Sequence, residues 1–260
     1  MESSVAVRER GFGTTLRPDR WWVPPLSVAV GLGVCGAYAT WAILQGSDYF
    51  VEPYLSPFYS PCITAACPEE IRFLGIGWWP LSPAILMMGI ILGFRATCYY
   101  YRKAYYRAYF MDPPACSVGE FRGERYRGET AFPFILQNLH RYFLYLSFAV
   151  WLFLTYDTIK SFFFSDGFGM GLGSLMLVVN LVLLSGYLFG CHSLRHLVGG
   201  KVDCYSCVLG GKARHGAWKR VSWFNERHMM FAWFSLVFVC MTDLYIRLVA
   251  MGAIQDIRFF

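Results

Sequence analysis

Residues 172–196 read LGSLMLVVNLVLLSGYLFGCHSLRH. From Leu172 to Gly190 the stretch holds no charged side chain and one amide, Asn180, which is long and apolar enough for a helix crossing a hydrocarbon layer of roughly 30 Å. It ends in Cys191-His192-Ser193-Leu194-Arg195-His196, one thiol and two imidazoles where the helix leaves the membrane. Such groups are costly to leave unpaired at that boundary, and metal ligation is a reason for them to be there. If the helix continues, His192 and His196 are four apart and share a face, while Cys191 points about 100° away from His192.

Four further apolar runs lie on either side, at about 24–44, 83–107, 134–159 and 222–250. With 172–196 they predict an all-α integral membrane bundle of five transmembrane helices, forming one domain over residues 1–260. The composition agrees: 56% hydrophobic, 19% aromatic and 15% charged, against about 25% charged in a soluble domain. Three segments, the N-terminus, Arg95–Arg127 and Arg195–Arg227, hold 18 of the 23 Lys and Arg residues. The five-span order puts all three on one side, which the positive-inside rule makes cytoplasmic, with the N-terminus inside. The net charge of +6 therefore needs no nucleic acid to explain it. No cleavable leader is expected, because the first twenty or so residues are basic and polar.

All five histidines then fall at the cytoplasmic end, together with Cys98, Cys116, Cys191, Cys204 and Cys207, while Cys62 and Cys67 fall outside. A disulfide is the expected state of that outer pair. Cys35 and Cys240 lie within apolar runs and read as small buried hydrophobes. Asp157 and Asp243, toward the outer side, are expected to pair with Lys160 and Arg247. Candidate metal ligands are Cys191, His196, His228, His140, His192, Cys98 and Cys116. Cys204-x-x-Cys207 is a local alternative. Two cysteines and two histidines would suit a Rieske-type 2Fe-2S centre, whereas His140 and His228 alone could be the axial ligands of a haem b. Arg141, Tyr142 and Arg195 would suit a quinone headgroup near the same helix ends. No hydrolase, kinase or nucleotide-binding motif appears. A non-redox membrane assembly or transport protein with structural histidines is the third reading.

Cys98-Tyr99-Tyr100-Tyr101-Arg102-Lys103-Ala104-Tyr105-Tyr106-Arg107, Pro113-Pro114-Ala115-Cys116, Leu136-Gln137-Asn138-Leu139-His140-Arg141-Tyr142, Cys191-His192-Ser193 with Arg195-His196, and His228 ahead of Ala232-Trp233 resemble one family over nearly the whole chain. It is the single-chain membrane anchor of actinobacterial succinate:menaquinone oxidoreductase, respiratory complex II. The resemblance implies a plasma-membrane protein that holds a flavoprotein subunit and an iron-sulfur subunit at its cytoplasmic face and passes electrons to menaquinone. It also implies a membrane-embedded Rieske-type 2Fe-2S cluster in place of haem, held by two cysteines and two histidines among the seven candidates. A higher oligomer of the complex is left open by it.

Overall fold

The computed structural model describes residues 11–65, 67–73, 82–120, 132, 134–200 and 202–260. Eight α-helices follow in chain order. They are α1 (Val23–Gln45), α2 (Pro83–Ala96), α3 (Tyr99–Tyr105), α4 (His140–Lys160), α5 (Leu172–Phe189), α6 (His192–Gly199), α7 (Gly211–Glu226) and α8 (His228–Ala250). Among the described residues, four helices are long and apolar enough to cross a membrane: α1, α4 with its leading turn, α5 and α8. The count becomes five if α2 and the segment Tyr99–Phe110 are one bent span.

Local chemistry sets these boundaries. Proline in the first turn starts α1, where the missing N–H is no loss, and Gly46 at φ 68° ends it in a left-handed cap. Three helices expected to run straight are broken. The run 83–107 bends by 82° at Thr97-Cys98: Thr97 closes α2, its N–H and hydroxyl both donating to the Gly93 carbonyl (3.0 and 2.7 Å), and Cys98 after it is extended at ψ 131°. The 14 residues of α2 alone rise only about 21 Å. The run 172–196 stops at Phe189, and Cys191 is extended at ψ 134°. The run 222–250 is divided at Arg227, so residues 222–226 close α7 and His228 opens α8. His140 likewise is the first residue of α4, after a 3-10 turn over Phe134–Leu139.

The most extensive helix pairing is α5 with α8. A Cβ at Gly186 would come within 2.2 Å of the Phe231 ring, so this close approach of the two helices requires glycine. The end opposite the histidines is closed by two short hairpins, Phe50–Val51 with Tyr54–Leu55 and Phe163–Phe164 with Gly167–Phe168, and by the Cys62–Cys67 disulfide. The tail after α8 is not loose. Asp256 accepts from Tyr54 (2.6 Å), Tyr245 (2.5 Å) and the Gly173 N–H at the start of α5 (3.1 Å). Cys204 and Cys207 are joined to each other, which takes both thiols out of the set of free ligands.

Candidate functional site

Each break in the helices presents one chemically reactive side chain to the same buried core. Cys98 and Cys191 cap α3 and α6 in extended conformation, and His140 and His228 open α4 and α8. The Cys191 Sγ lies 3.1 Å from His140 Nε2, and the Cys98 Sγ lies 3.4 Å from His228 Nε2. Both thiols belong to one core cluster with Phe94, Tyr101, Leu144, Tyr187, Leu188 and Ala232. Phe94 stacks on His140 with ring centroids 4.8 Å apart, Tyr187 stacks on His228 at 4.9 Å, and Phe94 meets Tyr187 edge-on at 5.4 Å. The two thiol–imidazole pairs are thus joined by a run of packed rings. They stand as pairs: among the described residues, no three His, Cys, Asp or Glu side chains gather closely enough to grip an ion together.

Hydrogen bonds fix the imidazoles. The single Thr97 hydroxyl proton goes to the Gly93 carbonyl, so Thr97 Oγ1 accepts from His140 Nδ1 at 3.0 Å. This network assigns the His140 proton to Nδ1 and leaves the Nε2 lone pair facing Cys191. His228 Nδ1 is buried without a partner among the described residues. A Cβ at Gly190 would stand 3.1 Å from that nitrogen and within 2.9 Å of two backbone oxygens. Asn225 holds the same turn, donating to the Gly190 carbonyl at 2.7 Å. Two sulfurs and two imidazoles are donors of the kinds that can hold iron, and here they stand as two separate pairs with one ring nitrogen unpartnered among the described residues.

The remaining candidates make no side-chain hydrogen bond to these four among the described residues. His196 Nδ1 accepts from Arg141 at 3.1 Å, His192 is exposed, and Cys116 is an exposed thiol in the loop after α3. Tyr142 is 66% exposed. Arg195 donates to Ser222 at 2.9 Å and lies over the Trp218 ring. Thr97, Gly190 and Asn225 are the positioning residues that sequence reasoning missed. A threonine four residues after a glycine, directly before Cys98, was the only trace of the first.

A cavity of about 330 Å³ opens between α1, α2 and α8 on the other side of Tyr101, lined mostly by aliphatic side chains such as Leu32, Ala39, Met88 and Leu236. Its polar wall is Arg95 with Tyr101, Tyr105, Cys35 and Cys240. Arg95 is buried and donates to Tyr101 Oη, to Ser235 Oγ (3.1 Å) and to the Ala232 carbonyl (3.3 Å).

Residues 23–252 match the family described as "Actinobacterial succinate dehydrogenase subunit SdhC". Among solved structures, a chain of the Mycobacterium smegmatis Sdh1 complex in the apo form is similar, with 45% identity and a TM-score of 0.87. The match covers 95% of this chain and 94% of that one. No curated protein matches.

Proposed function

The chain belongs to the actinobacterial succinate dehydrogenase subunit SdhC family, and from that premise we propose that it anchors a flavoprotein and an iron-sulfur subunit to the membrane and serves electron delivery to menaquinone, with Cys98, Cys191, His140 and His228 holding a Rieske-type 2Fe-2S cluster. The observation that carries this reading is the gathering of two thiols and two imidazoles around a single buried core. When bound, such a cluster supplies one-electron transfer at a higher potential than an all-cysteine cluster.

The chain's own residues prepare the place. Thr97 orients His140 with its bare nitrogen inward, Gly190 leaves room beside His228, and the Phe94 and Tyr187 rings exclude water. The apolar cavity beyond Tyr101 suits a quinone ring with an isoprenoid tail, its few polar groups serving to orient the head. Arg141, Tyr142 and Arg195 are left to the docking of the soluble subunits. Counting α2 with its bent continuation gives five crossings. The excess of Lys and Arg at the histidine end then turns that end, and the docked subunits, toward the cytoplasm.

Haem b between His140 and His228 is less well supported, because each Nε2 is directed at a thiol rather than toward an open slot. Purified complex decides between them. The cluster reading expects two irons and a Rieske-like paramagnetic signal beyond those of the soluble clusters. Sharp reduced-minus-oxidised visible bands with no such signal would favour haem.

A further inference from the structure

We propose that Arg95 is the fixed counter-charge of the thiolate–imidazole site and sets how readily that site takes up an electron. The inference rests on the ligand set proposed above. Arg95 follows Phe94, the residue stacked on His140, and its guanidinium carbon lies 4.8 Å from the centroid of Tyr187, the ring stacked on His228. It is a positioning residue, acting through its field and not as a ligand.

The argument begins with what surrounds it. Arg95 is 9% exposed and an arginine cannot shed its proton in a protein. Its hydrogen-bond partners, Tyr101, Ser235 and the Ala232 carbonyl, are all neutral. The ionisable groups near it are Tyr101, Tyr187 from α5, His228 and Cys240 from α8, and Cys35 from α1. No carboxylate among the described residues lies within ion-pair distance of it. Asp243, one turn beyond Cys240, is already committed to Arg247 at 2.8 Å. A buried cation with no counter-ion is strongly disfavoured, so the missing negative charge should come from outside the chain's own carboxylates. Cys98 and Cys191 share a core cluster with Tyr101 and Tyr187, the two rings the guanidinium lies over, and as ligating thiolates they would supply it.

Charge balance gives the consequence. One electron from a reduced iron-sulfur centre of the partner subunit makes the site more negative by one unit, and onward transfer to a quinone restores it. No bond in this chain forms or breaks, and no proton need move. The positive charge of Arg95 favours the reduced state throughout.

The test is a redox titration of the intact complex, following the Rieske-like paramagnetic signal. Arg95→Met should make reduction at least tenfold less favourable, a midpoint lower by about 59 mV or more, while Arg95→Lys stays within threefold of wild type. Ser235→Asp, placing a carboxylate against the guanidinium, should lower the midpoint in the same direction, and Ser235→Asn should not. This pair decides the matter alone if Arg95→Met does not assemble. An unchanged midpoint in both Arg95→Met and Ser235→Asp overturns the inference, as does a fall in Arg95→Lys equal to that in Arg95→Met. A rise in quinone KM with the midpoint unmoved would also overturn it and give Arg95 to the quinone instead. A wild-type complex without the signal fails earlier, at the ligand set itself.

Discussion

Arg247 and Arg95 are both buried arginines of one helical bundle, near opposite ends of it, and their surroundings differ. Arg247 has its own counter-ion: Asp243 accepts from its Nε at 2.8 Å, and Gln45, the Ser47 carbonyl and the Ala42 carbonyl take the other donors. Asp243 is saturated in turn by Ser56 and by Tyr38 at 2.6 Å. That end is a closed network whose work is to tie the hairpin loop to α1 and α8. At the other end, among the described residues, Arg95 donates only to neutral oxygens, an imidazole nitrogen has no partner, and two thiols face two imidazoles. A buried polar group with every partner present reads as architecture, and one with a partner missing points to something the chain holds.

The contrast can be broken first at the ligands. Cys191→Ser or His228→Ala should lower quinone reduction at least a hundredfold and abolish the extra paramagnetic signal. Succinate oxidation by a water-soluble artificial acceptor should stay intact, because that chemistry belongs to the soluble subunits. If either variant reduced quinone normally, the two ends would no longer differ in kind.

At the architectural end the expected loss is stability, not electron transfer. Asp243→Asn leaves Arg247 buried beside a neutral amide, and breaking a buried pair in this way costs about 3–5 kcal/mol. The midpoint of thermal unfolding of the complex should fall, while the surviving folded fraction keeps its cluster signal. A loss of signal in proportion to the fold lost would agree. Loss from fully folded material would contradict it.

Smaller effects sharpen the histidine end. Thr97→Val removes the oxygen that fixes the His140 tautomer, and outer partners of this sort are worth about 10–100-fold in metal affinity. Iron retained after a chelator challenge measures it. Asn225→Ala, which frees the Gly190 carbonyl, should cost about 1 kcal/mol, seen as a slightly lower unfolding temperature with the cluster retained.

The two ends were also unequally legible in the sequence. Apolar runs made the membrane helices readable, the Tyr-Arg and Cys-His motifs carried the family, and Asp243 with Arg247 could be named as a local pair. What periodicity could not supply was where the helices stop. Extending 172–196 as one helix put His192 and His196 on a shared face. Both do lie four apart in α6, but the break at Gly190-Cys191 turns Cys191 inward and leaves His192 exposed. The same holds for Cys98, one of seven candidate ligands with no partner singled out in the sequence, which the 82° bend places against His228. Those breaks lie in the backbone of single residues, Cys98 and Cys191 extended between two helices, which leaves almost no pattern in a list of residues.

The most direct test of the central claim is pulsed paramagnetic resonance on the reduced complex carrying nitrogen-15 histidine in this chain alone. The account predicts a signal outside the soluble clusters whose electron spin couples to nitrogens of two histidines, with one coupling lost in His140→Ala and the other in His228→Ala. A signal with no histidine coupling, or couplings that survive both substitutions, would contradict it.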